Sequence, residues 1–129
     1  MTRLTVLIAD RNPAIRQTLS DLVREHYDLV AELSDGQTVC ERVAKLMPSV
    51  ILLGVSFDGM TGFEIARHLR RSGCSAKIIL VSLHESRDLV RAAFAIGASG
   101  YVFMSRLLDD LPAAIDAVSH GRVFEPRLP

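Results

Sequence analysis

Val50-Ile51-Leu52-Leu53 is the stretch that most limits what this chain can become. Four bulky apolar residues in succession leave no polar face, which fits a central strand covered on both sides. The run stops at Gly54, and a loop carrying two further glycines leads through Asp58 to Gly62. Phe63, Ile65, Ala66 and Leu69 then fall at helical spacing. Strand, loop and helix form the repeating unit of a parallel sheet, whose functional groups gather beyond the carboxyl ends of the strands. At that place this chain has a glycine.

The same unit recurs along the sequence. Leu4 to Ala9 reads as a first buried strand, with Asn12 suited to cap the next helix and Pro13 to open it. Ile15, Leu19, Leu22 and Val23 give that helix one apolar stripe. Leu29 to Leu33 is a second strand, and Glu32 within it points to a sheet edge. Asp35-Gly36 turns into a helix carrying Val39, Val43 and Leu46 inward and stopped by Pro48. Lys77 to Ser82 is a fourth strand. Ser86 caps a helix running to about Ile96, Gly100 to Met104 is a short fifth strand, and a last helix spans about Asp109 to His120 with Pro112 in its first turn. Five strands alternating with five helices predict an α/β doubly wound, five-stranded parallel sheet in the order 2-1-3-4-5. Residues 1–121 make one domain, and 122–129 read as the start of a linker or tail.

Composition narrows the function. Acids and bases balance at fifteen each, without the basic excess of a phosphate-tracking surface. No apolar run approaches the ~20 residues of a membrane helix, and the N-terminus has no signal-peptide pattern, so a cytoplasmic chain is expected. Cys40 and Cys74 read as reduced thiols. Neither they nor His68 and His84 have metal-ligand spacing, and Ser56 lacks the surroundings of a hydrolase nucleophile. No metal, no cofactor and no enzymatic activity are expected.

Val6-Leu7-Ile8-Ala9-Asp10, the block from Pro48 to Gly62, Val81-Ser82-Leu83-His84-Glu85 and Gly97-Ala98-Ser99-Gly100-Tyr101-Val102 together resemble the receiver domain of bacterial two-component response regulators. The likeness covers essentially the whole chain and is nearest the NarL/FixJ-type branch, whose receivers usually precede a LuxR-type helix-turn-helix. It implies a flavodoxin-like receiver fold and phosphoryl transfer to an aspartate ending the third strand. Two acids after the first strand would help hold Mg²⁺, a Ser or Thr after the fourth strand and a lysine after the fifth would bind the phosphoryl group, and a fifth-strand aromatic would reorient. Asp10 matches the first acid, Ser82 the hydroxyl and Tyr101 the aromatic. Arg11 stands at the second acid, Gly54 at the phospho-acceptor and Met104 at the lysine. Such a set implies a receiver that has lost phosphotransfer and acts through protein–protein contacts. DNA would be reached only through a helix-turn-helix outside this chain.

Each position also has a plainer reading. Asp10 is either a helix-entry residue or a relic acid paired with Arg11, and Arg11 itself could point into water. Ser82 could simply end its strand, and Tyr101 could be core. Asp58 is either a loop acid or a surrogate acceptor without a lysine to help it. A flavodoxin-like ligand module is the remaining alternative, although Asp10-Arg11-Asn12-Pro13 lacks a phosphate cradle. Leu89, Ala92 and Ile96 on the fourth helix, with Ala113 and Ala117 on the fifth, predict self-association through the fourth helix, fifth strand and fifth helix. The first helix is expected to offer Arg16, Gln17, Ser20 and Arg24 outward.

Overall fold

The computed structural model describes residues 3–128. Five strands, β1 (Thr5–Ala9), β2 (Asp28–Leu33), β3 (Val50–Gly54), β4 (Lys77–Ser82) and β5 (Gly100–Phe103), pair in parallel in the order β2-β1-β3-β4-β5. The helices α1 (Pro13–Arg24), α2 (Gly36–Leu46), α3 (Gly62–Arg71), α4 (Arg87–Ala95) and α5 (Leu107–Ser119) make the connections. Successive strand residues face opposite sides. Leu7, Ile51, Leu53, Ile78 and Leu80 therefore meet Val39, Val43, Ile65, Leu69 and Val90 of α2, α3 and α4. Val6, Ile8, Val50, Leu52 and Ile79 meet Leu19, Val23, Leu111 and Ile115 of α1 and α5. The sheet order is the one expected.

The helix starts follow from side chains that satisfy otherwise unpartnered amides. Asn12 accepts from Ala14 N–H (2.8 Å) and Ile15 N–H (3.2 Å), just ahead of Pro13. Asp35 and Ser86 cap α2 and α4, and Thr61 with Glu64 forms a reciprocal capping box on α3. Met47, at φ 48°, turns the chain out of α2 before Pro48.

Several expectations need correction. Between β3 and α3, Ser56–Phe57 and Met60–Thr61 pair as a small antiparallel ribbon, too short to leave a periodic signature. β5 ends at Phe103, and one 3₁₀ turn, Met104–Arg106, feeds α5 at Leu107 rather than Asp109, so Pro112 lies in the second turn. Leu46 is exposed because α2 buries only its Gly36, Val39 and Val43 side. Ser20 is buried, and its hydroxyl has no partner among the described residues, so α1 does not offer it outward. Arg16 is half-buried rather than free.

The surface expected for self-association also differs. Leu89 and Ile96 are half-buried and pack on the domain's own core. α4 therefore sits deeper than a free apolar stripe would. Ala92 and Ala113 are exposed and Ala117 is half-buried. Within residues 122–128, Phe124 pairs alongside Gly100 at the edge of β5.

Candidate functional site

Beyond the carboxyl ends of β1, β3, β4 and β5 lies a cleft of about 250 Å³, lined by Asp10, Arg11, Ser56, Ser82, His84 and Met104 among others. β1 delivers Asp10 as its chain leaves the sheet, β4 ends in Ser82, and the turn after β5 presents Met104. Asp10 is buried. Its Oδ1 accepts from Asn12 N–H at 2.8 Å, so the carboxylate closes the turn into α1. Burial pushes the Asp10 carboxyl above its ordinary 3.8, while the Asn12 amide and then the Arg16 and Arg11 charges pull it down.

Gly54 explains where that carboxylate rests. A Cβ built on Gly54 would collide with Asp10 Oδ2 and lie 2.9 Å from its Cγ. The side chain of Asp10 thus fills room that any residue other than glycine would claim. Gly62 is equally constrained: its N–H donates to Val55 O at 2.7 Å, and a Cβ there would overlap the carbonyl of Gly54.

Arg11 does not pair with Asp10. Its guanidinium reaches across the cleft mouth to Asp58 Oδ1 at 3.1 Å, joining the loop after β1 to the ribbon after β3. Asp58 is almost fully exposed, and a pair in that setting contributes at most a fraction of a kcal/mol. Arg16 is the cation whose role the sequence did not reveal. It donates to the carbonyls of Asp10 (2.7 Å) and Arg11 (3.1 Å), fixing the loop from α1. Two carbonyl acceptors brought together by folding have no sequence pattern.

Ser82 Oγ is engaged in its own turn, accepting from His84 N–H at 2.9 Å. Tyr101 is fully buried and meets Phe103 edge to face, with ring centroids 5.7 Å apart. Its hydroxyl has no hydrogen-bond partner of good geometry among the described residues. Burial pushes the phenol up, and the neighbouring Ser82 hydroxyl acts the other way. Leu89, Ala92, Ile96, Ala113 and Ala117 lie outside the cleft.

The donor set does not fit the magnesium ion that a receiver fold implies. A hard dication wants several oxygens, commonly more than one carboxylate. Here Asp10 is the one acid lining the cleft, with one oxygen already bound by Asn12 and two guanidinium groups nearby. Gly54 has no side chain, and Met104 offers a thioether, a poor ligand for such an ion. Among the described residues, no group of three or more His, Cys, Asp or Glu could hold a metal ion. Cys40 and Cys74 are free thiols far from this chemistry on the α2–α3 side, where burial and the nearby Cys74 raise Cys40.

Comparison with known proteins places this geometry. Residues 6–116 match the family model described as "Response regulator receiver domain". The nitrate/nitrite response regulator protein NarP of Escherichia coli is 32% identical over 130 residues, covering 98% of this chain and 60% of NarP. The DNA-binding transcriptional activator EvgA of the same species is 27% identical, covering 94% of this chain and 59% of EvgA. The chain spans about three fifths of the length of these relatives. A LuxR-family two-component response regulator from Aurantimonas sp. superposes with a TM-score of 0.89 at 28% identity, covering 95% of this chain and 89% of that one. No described helix is long and apolar enough to cross a membrane.

Proposed function

The chain belongs to the response regulator receiver domain family, and we propose that it is a pseudo-receiver: a receiver domain that signals without taking a phosphoryl group. The observation that carries this reading is Asp10 folded over Gly54, with its carboxylate in the space a side chain at the end of β3 would need. A phosphoryl acceptor is missing from that place, and no lysine stands at Met104 to neutralise a transferring group. The Arg11–Asp58 pair joins the loop after β1 to the ribbon after β3 at the cleft mouth. Asp58, the acid that could have served as a surrogate acceptor, lies exposed at the cleft mouth with Arg11 as its partner.

Its signalling is by contact with protein partners in the unmodified state, as the receiver part of a LuxR-type transcription regulator. This rests on relatives such as EvgA, a DNA-binding transcriptional activator, and on the 98% of this chain that aligns with NarP. DNA would be read by a helix-turn-helix outside these 129 residues. The test is a magnesium titration followed by amide chemical shifts. We expect no saturable shift at Asp10, Gly54 or Ser82 up to ~10 mM, where hard-ion sites in sensor proteins are filled. Saturation at any midpoint below ~10 mM would show that the pocket still binds the ion and that the reading is wrong.

A further inference from the structure

Both cysteines of this chain line one cleft, although they lie far apart in the sequence. The cleft holds about 500 Å³ and is shaped by α2, by α3 and by the loop leading into β4. Its lining includes buried Pro48 and Ala76, just ahead of β3 and β4. It therefore lies at the amino ends of the strands, away from the cleft that holds Asp10.

The two thiols are carried on fixed backbone. Cys40 belongs to the second turn of α2, whose start Asp35 caps. Gly73, at φ 85°, turns the chain back after α3, and Cys74 N–H then donates to Leu69 O at 3.0 Å. Arg70 donates to the Cys74 carbonyl at 2.9 Å. Both side chains are half-buried and pack on the core layer beneath α2, α3 and α4, yet both are free thiols. Charge on Cys74 raises the Cys40 thiol, so the two are within electrostatic reach of one another.

What such a pair can hold follows from the number and softness of its donors. Zinc is almost always held by four ligands. Among the described residues, no third His, Cys, Asp or Glu completes a metal-binding group with these two. Magnesium and calcium want several oxygens, and Glu41 is the one carboxylate in the lining. Thiolate and thioether sulfur select Cu(I), an ion content with two sulfurs in line. Met47, exposed at the rim, adds a thioether to the same lining.

We propose that Cys40 and Cys74 form a two-sulfur site for a soft monovalent metal ion, Cu(I). Each thiol releases its proton as its sulfur bonds the ion, so two protons leave for each ion bound and no electron is transferred. The bound ion ties α2 to the loop ahead of β4. The inference is independent of the phosphate site, which lies at the opposite ends of the strands.

The test uses the full chain, reduced and freed of metal, titrated without oxygen with Cu(I) buffered by a chromophoric chelator. One ion per chain should bind, and copper X-ray absorption should report at least two sulfur neighbours. Cys40→Ser and Cys74→Ser should each weaken binding by more than about 100-fold, beyond the ~10–100-fold typical of losing a group that only supports a ligand. An equal concentration of Zn(II) should not displace the ion. Half an ion per chain would mean that two molecules share it through their outer sulfurs, and would overturn the proposal. So would a serine variant that stays within that ~100-fold of the parent, a copper spectrum with fewer than two sulfurs, or displacement by Zn(II). Should either serine variant fail to fold by circular dichroism, Cys40→Ala or Cys74→Ala keeps an apolar side chain against the core and is judged by the same outcomes.

Discussion

Asp10 is buried against a glycine, and its titration follows from that. Burial raises its carboxyl above 3.8, so the ionised form destabilises the fold relative to the unfolded chain. The stabilising contribution of the protonated acid is complete below pH 3.8 and is lost as pH rises through the higher folded-state value. Asn keeps the oxygen that accepts from Asn12 without the charge. Asp10→Asn should therefore raise the melting temperature at pH 7, and the gain should vanish as pH approaches 3.8; an equal gain at both pH values would contradict this origin. Gly54→Asp is the complementary experiment. The new side chain needs the space Asp10 fills and places two carboxylates together, so it should lower stability by ~1–3 kcal/mol in urea unfolding. It should not restore efficient phosphorylation. Labelling should remain about 10²-fold below that of Gly54→Asp with Arg11→Asp and Met104→Lys, because one positively charged donor is typically worth that much in such a transfer. Rapid labelling of the single variant would mean that Arg11 and Met104 matter little.

At the scale of elements, two tethers hold the site's framework. Gly62 opens α3 with its Cα against the carbonyl of Gly54, so Gly62→Ala must push backbone on backbone. We expect a loss of ~3 kcal/mol or more by urea denaturation. Arg70 closes the other end of α3: its Nε donates to Gly97 O (2.9 Å), and one terminal nitrogen to Cys74 O (2.9 Å) and Ala76 O (2.8 Å). Arg70→Lys loses the planar fork that reaches all three carbonyls and should cost ~1–2 kcal/mol; an unchanged unfolding midpoint would show the clamp to be idle. The main elements were legible because their signals are local: apolar runs for buried strands, spaced stripes for helices, Asn12-Pro13 and Ser86 for starts. The Arg70 clamp, the Ser56 to Thr61 ribbon and the Arg11–Asp58 pair were not. Each depends on backbone groups or charges that become neighbours only after the sheet has formed. Asp10 had two readings, helix entry or a pair with Arg11, and the Asn12 amide and the vacancy at Gly54 decide for helix entry.

The whole molecule has the receiver architecture. The five-stranded order and both helical layers of the receiver fold are present. The cleft meanwhile carries Arg11 and Met104 along its lining, with Gly54 behind Asp10. Fold and site were unequally readable for this reason: the sheet is specified by many redundant apolar residues, the pocket by five positions whose geometry depends on distant segments. Phe124 adds a contact that no local pattern announced, since it reaches Gly100 only when β5 is already at the edge. Loss of phosphotransfer can be tested directly. Intact protein should be incubated with acetyl phosphate and Mg²⁺ and weighed by mass spectrometry. The predicted result is a single unmodified mass; a phosphoryl adduct mapped to Asp58, or to any acid around the cleft, would contradict it.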